Sequence, residues 1–165
     1  MYCINYNAIV SYSIFGDNMW NDFGEYIVSY CNKINDKSED SNCKIIEIAI
    51  GKFFGVSNYL INCSNCSNID FIATDINPSN KNILFDDIRN PNMDIYRGAD
   101  LIYSIRPPQE IQPYIENISS EIGADLIVKP LFNEDLNLNL KMKLVNFKKA
   151  IFYESKGIQD IKIKH

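Results

Sequence analysis

The sequence predicts an α/β fold, a doubly wound and mostly parallel sheet with helices on both faces, and three observations carry that prediction. Short β-rich runs at Ile45 to Ala49, Ile69 to Thr74, Asn82 to Phe85, Leu101 to Ile105 and Leu126 to Val128 are spaced by segments long enough for helices or connecting loops. The runs are apolar on both faces, which suits strands covered from both sides. The tail, Leu144-Val-Asn-Phe147, Lys148-Lys149 and Ala150-Ile-Phe-Tyr153, reads as an antiparallel hairpin at one edge of the sheet.

Each element has its own justification. From Asp17 to Ile34, the residues Met19, Trp20, Phe23, Tyr26, Ile27, Tyr30 and Ile34 recur every three or four positions, as on an amphipathic helix, with Asp17 or Asn18 as its N-cap. Residues 35–42 contain no apolar side chain and form a surface loop. Further helices are expected over Gly55 to Asn62 and over Gln109 to Ile122, the second opened by Pro107-Pro108 and closed by Gly123. A shorter helical turn is expected near Pro91 to Tyr96. The order is therefore helix, strand, helix, strand, strand, helical turn, strand, helix, strand, hairpin. Residues 17–165 make one domain, and residues 1–16 an arm whose conformation, strand, helix or loose, the pattern leaves open.

Composition removes several function classes. A net charge of −5 gives no electrostatic footprint for nucleic acid, so none is expected as a partner. The lysines gathered near the end, from Lys141 to Lys164, read as a solvated face. No apolar run reaches the roughly 18 residues of a membrane span, and the first residues lack the basic stretch and cleavage site of a signal peptide, so a cytoplasmic location is expected. Five cysteines, at 3, 31, 43, 63 and 66, without regular spacing, read as reduced thiols. Cys63 and Cys66 have the spacing of half a zinc site, but no second pair follows. The one histidine is the final residue, His165, so a histidine-based catalytic system is not expected. A small-molecule ligand is the expected partner.

In a doubly wound sheet, ligands bind beyond the carboxyl ends of the strands, where strand order reverses. That rule selects residues. Glu47, Ala49 and Gly51 lie at the end of the first run and in the turn after it, where small residues let backbone amides approach a ligand. Asp75 ends the second run at the spacing from Gly51 expected of a carboxylate that accepts ribose hydroxyls. Asp86 and Asp87 end the third, within reach of an adenine edge.

Glu47-x-Ala49-x-Gly51, Asp75 and Asp86-Asp87 resemble the cofactor motifs of S-adenosylmethionine-dependent methyltransferases. More narrowly, IIEIAIGKFFGVSNYL, IATDINP, DDIRNPNMDIYRGADLIYSIRPPQE and GADLIVKPL resemble a small uncharacterised archaeal family, one of the UPF families, of Rossmann-like proteins; the resemblance covers roughly residues 17 to 155. It implies a three-layer Rossmann-like, methyltransferase-like fold that binds S-adenosylmethionine for methyl transfer to a small or anionic acceptor; the alternatives are a non-catalytic module that binds NAD(P) or a similar nucleotide, and a structural or interaction protein that keeps the sheet without a ligand. Two positions depart from the methyltransferase pattern: Ala49 and Phe53 stand where glycines are expected, and Phe53 with Phe54 could plug the hollow.

The three arginines, Arg89, Arg97 and Arg106, fall within eighteen consecutive residues of a lysine-biased chain. Arginine's planar fork suits bidentate contact with carboxylate or phosphate, and ion pairs to Asp86, Asp87, Asp94 or Asp100 are the alternative use. Arg106, leaving the fourth run with Ser104 and Tyr103 beside it, is the candidate for the substrate side, and Ser104 is grouped with it as a candidate catalytic residue. Lys129 closes the fifth run on the same rim. Asp100 precedes the fourth run and so belongs to the opposite end, as a structural cap. The aromatic residue that stacks a flipped base after a two-proline motif is absent, Gln109 standing there, so methylation of nucleic-acid bases is not expected.

Overall fold

The alternation resolves into a single sheet in a computed structural model that describes residues 17–37, 42–63, 68–131 and 135–158. The elements are α1 (Asp17–Asn35), β1 (Cys43–Ile48), α2 (Gly55–Asn62), β2 (Ile69–Asp75), β3 (Ile83–Phe85), α3 (Met93–Tyr96), β4 (Leu101–Ile105), α4 (Gln112–Ile122), β5 (Asp125–Lys129), β6 (Lys143–Phe147) and β7 (Ala150–Ser155). Their order is the expected one. The expected arm, the cap at Asp17 or Asn18, Cys66 and His165 lie outside the described residues or side chains.

The seven strands run β3-β2-β1-β4-β5-β7-β6. β1 pairs in parallel with β2 and with β4, Ile45 facing both Phe71 and Leu101, and β4 pairs in parallel with β5. β7 is antiparallel to both β5 and β6, so the hairpin extends the sheet at the β5 side. Strand order reverses between β1 and β4, whose outgoing loops therefore open side by side.

Side-chain alternation divides the interior into two layers. Odd positions, Ile45, Leu101, Tyr103 and Ile127, pack under α1 and α2 with Phe23, Ile27, Val56 and Leu60. Even positions, Ile46, Ile48, Ile102, Leu126 and Val128, pack under α3 and α4 with Tyr96, Ile115 and Ile118. Both faces are thus covered, which is why these strands read as unbroken apolar runs.

Two expectations are corrected. α4 starts at Gln112 rather than at Gln109: the segment after the two prolines first closes a turn of its own, with the Ile111 amide donating to Pro108 O. Pro113 then occupies the first turn of α4, where its missing N–H costs no hydrogen bond. Cys31 and Cys43 are not free thiols but a disulfide, with Cα atoms 5.4 Å apart, tying α1 to the start of β1 inside the core. Their pairing is a consequence of α1 lying across β1, which spacing along the chain does not reveal.

Candidate functional site

A cleft of about 600 Å³ opens at the carboxyl ends of the parallel strands. Ala49 after β1, Asp75 ending β2, Asp86 and Asp87 after β3, and Pro108 before α4 all border it. Four of the expected cofactor positions are therefore gathered by topology alone. Neither Phe53 nor Phe54 lines the cleft. Phe53 turns to the α1 side, its ring 4.6 Å from that of Trp20, and Phe54 packs against the small cluster of Ile50, Ala73 and Ile83. A second groove, about 480 Å³, lies between α2 and β2 and presents no ionisable side chain.

Asp75 organises the entrance. One carboxylate oxygen accepts the Gly51 amide at 2.8 Å and the other the Asn77 amide at 2.8 Å, so the loop after β1 is tied to the end of β2. Each oxygen keeps further acceptor capacity, which a vicinal diol can use. Gly51 has φ +61°, a left-handed conformation that L-residues adopt at a cost, and it is this turn that aims its amide at Asp75. Asp86 is buried and engaged on both oxygens, by the Asn92 amide at 2.9 Å and the Tyr96 hydroxyl at 2.5 Å. It braces the floor. Asp87 stands at the rim in a bidentate pair with Arg89, which holds its carboxyl below the usual range.

Glu47 and Ser104 are placed differently. Glu47 falls on the α1 face of β1, 1% exposed, and its carboxylate accepts the Tyr103 hydroxyl at 2.7 Å. Burial pushes its pKa up to about 8 against the lowering effect of that hydrogen bond, which favours the protonated acid over the carboxylate. Ser104 is fully buried and its hydroxyl donates to Ile48 O at 2.7 Å, clamping β4 to the last residue of β1. These two side chains fix the two strands whose loops flank the cleft, and neither borders it. Asp100, at the opposite end, accepts the Lys44 amide, in keeping with a structural role.

The arginines separate. Arg89 pairs with Asp87 and Arg97 with Asp94, the ordinary use of a surface guanidinium. Arg106 has no carboxylate partner among the described residues. Its φ is +53°, and its guanidinium lies over Trp20, 5.5 Å from the ring centre, and 5.9 Å from that of Phe53. Sequence reasoning missed Trp20, which the helical spacing assigned to the core. It also missed Glu110, Ile111 and Tyr114, which border the cleft from the loop before α4 and its first turn. Only the fold, which swings that segment over the ends of β1 and β2, could have shown them.

Residues 27–157 match an uncharacterised protein family, UPF0146. A UPF0146 protein of Methanothermobacter thermautotrophicus is 43% identical over 136 residues, covering 82% of this chain and 94% of its own length. One from Methanocaldococcus jannaschii is 41% identical over 136 residues, covering 77% and 92%, and one from Archaeoglobus fulgidus 35% identical over 120 residues, covering 70% and 86%. The matched span takes in all seven strands, Asp75, Asp86, Asp87 and Arg106, and both loops that frame the cleft. A match of that extent, with relatives this similar over most of their length, means that the chain belongs to the uncharacterised family UPF0146, to which the three archaeal proteins named here also belong.

Proposed function

We propose that this protein binds S-adenosylmethionine in the cleft beyond β1, β2 and β3 and transfers its methyl group to a small or anionic acceptor. The observation that carries the reading is Asp75: a carboxylate at the carboxyl end of the second parallel strand, bonded to the left-handed Gly51 turn, in a cleft of about 600 Å³ at the point where strand order reverses. That volume suits a nucleoside-sized ligand, since small-molecule sites run from about 300 to 1,000 Å³.

The residues have distinct work in this reading. Asp75 receives the ribose hydroxyls, the backbone of Ala49 meets the amino-acid end, Gly51 holds the loop to Asp75, and Asp86 and Asp87 flank the adenine, with Ile76 and Ile88 offering apolar faces to the base. Glu47, Tyr103 and Ser104 act through the strands, holding β1 and β4 in register. Arg106 stands on the acceptor side. Bound S-adenosylmethionine supplies an electrophilic methyl group, and in-line displacement asks the protein for proximity and alignment more than for an acid–base pair. A chain with one histidine, at its final residue, is compatible with that demand.

Thermal-shift titration tests the reading. Ligand at about 100 times its dissociation constant stabilises a fold by about 2.7 kcal/mol, so S-adenosylmethionine or S-adenosylhomocysteine is expected to raise the melting temperature by several degrees. Asp75→Ala is expected to abolish the shift and Arg106→Ala to preserve it. A shift with NAD or NADP alone would replace methyl transfer by nucleotide sensing, and no shift with any of the four would remove the cofactor site.

A further inference from the structure

We propose that Arg106 and Lys129 form an oxyanion-binding subsite, walled by Trp20, that takes a phosphate or carboxylate group of a small substrate. The last bond between β4 and β5 sets the two cations side by side: the Arg106 amide donates to Lys129 O at 2.7 Å. Arg106 then departs from the strand with φ +53°, a conformation that a non-glycine residue holds at a cost of the order of 1 kcal/mol. The Lys129 ammonium lies 5.5 Å from the centre of the same Trp20 ring that Arg106 covers. Two cations therefore share one aromatic wall.

No carboxylate among the described residues balances them. Among the described residues neither side chain forms a salt bridge, and the ammonium of Lys129 donates to a neutral carbonyl, Ile151 O, at 2.9 Å. The other two arginines of the chain each hold a carboxylate. Burial and the neighbouring guanidinium both disfavour the charge on Lys129, as expected of a like-charged pair waiting for an anion. Between them and Trp20 is a notch of about 30 Å³, space for the terminal oxygens of a group rather than for a ring.

The subsite and the nucleotide cleft are bounded by the same two loops. Ala49 and Pro108 face the cleft, whereas Phe53 and Arg106, a few residues away on those loops, face Trp20. An anion held here belongs to a molecule that can extend toward the cleft from the α1 side. Its assignment to the methyl acceptor rests on the proposed function above; the subsite itself does not.

Trp20 is the one tryptophan of the chain, so intrinsic fluorescence reports the subsite directly. The experiment titrates the full chain with inorganic phosphate, and separately with succinate, replacing chloride at constant ionic strength. Saturable change in Trp20 emission is expected, and whichever anion binds more tightly identifies the group. Arg106→Gln and Lys129→Met, each checked for a native circular dichroism spectrum, should weaken the tighter binding by about tenfold or more, the worth of a charge-assisted hydrogen bond. Asp75→Ala should leave it unchanged. An absence of saturable response to both anions in the parent chain, or a response that both substitutions leave intact, overturns the subsite. Anion binding without any S-adenosylmethionine shift keeps the subsite and removes the methyl-transfer reading; the opposite pattern keeps that reading and removes the subsite.

Discussion

Replacing Glu47 by Gln isolates the electrostatic cost of burying an acid at the junction of β1 and β4. The carboxyl is 1% exposed and its pKa rises from an ordinary 4.5 to about 8, burial being the larger influence and the Tyr103 hydrogen bond opposing it. Because the folded-state value lies above the unfolded one, the native state binds the proton more tightly. The stabilisation from that proton is complete below pH 4.5 and is lost as pH rises through about 8. At about 1.4 kcal/mol per pKa unit the window spans about 5 kcal/mol for a rigid site, and about 3 kcal/mol once the site relaxes and admits water. Glutamine keeps an acceptor for the Tyr103 hydroxyl and does not titrate. Urea unfolding of both proteins at about pH 5, 7 and 8.5 gives the difference in stability at each pH, and subtraction cancels the titrations that the two share. The variant should gain on the parent steadily, by about 3 kcal/mol between the lowest and highest pH. A difference that stays constant within about 0.5 kcal/mol would show that Glu47 is already ionised in the fold, and the neutral-acid account would fail.

Three other perturbations follow from the geometry. Tyr103→Phe removes the hydrogen bond that lowers the pKa of Glu47, so stability should fall by about 1 to 2 kcal/mol and the loss of stability with rising pH, which still begins near pH 4.5, should continue to a higher pH than in the parent, measured by the same unfolding series. Reduction of the Cys31–Cys43 disulfide, which closes a short loop of 12 residues' separation, should lower the urea midpoint by the equivalent of about 3 kcal/mol, and a Cys31→Ala/Cys43→Ala chain should be indifferent to reductant. Gly51→Ala meets no atom within 4 Å, so its penalty comes from the φ of +61° alone: about 1 kcal/mol in stability, with a weakened S-adenosylmethionine shift because the amide bonded to Asp75 moves.

Much of the architecture was legible because its causes are local. Runs such as Ile45 to Ile48 and Leu101 to Ile105 are apolar at every second and every intervening position save for Glu47 and Ser104, and that pattern has few explanations besides a strand covered on both sides. The same alternation explains what was not legible. A one-residue difference in position sends a side chain to the opposite face, so Glu47 turns into the α1 layer while Ala49, two residues on and beyond the strand, has left the pleat and borders the cleft. Asp75, Asp86 and Asp87 could be found because they end strands, and the winding rule says what lies beyond a strand's end. Trp20 and Tyr114 could not: each sits on a helix whose spacing fits a core face equally well, and only the crossing of that helix over a loop decides its neighbours. The disulfide was invisible for the same reason, two cysteines in different elements joined by packing.

Backbone strain gives an independent argument for where function lies. Among the described residues, three non-glycine residues have left-handed φ: Ala49 at +58°, Arg106 at +53° and Lys148 at +52°. Lys148 turns the hairpin between β6 and β7, where such a conformation is ordinary. Ala49 and Arg106 turn nothing so tight; they are the residues at which the chain leaves β1 and β4, the two strands flanking the reversal of order. Strain held at just these two exits suits a backbone shaped for a ligand. Ala49→Gly separates the two contributions, because glycine relieves a left-handed strain of about 1 kcal/mol while adding a similar loss of unfolded-chain entropy. The substitution should therefore leave stability within about 0.5 kcal/mol of the parent, where the same change in an unstrained segment costs about 1 kcal/mol, and it should leave the S-adenosylmethionine shift intact, since glycine is the residue the methyltransferase pattern has at that position. A loss of more than about 1 kcal/mol would mean that Ala49 carries no strain, and the case for two ligand-shaped exits would then rest on Arg106 alone.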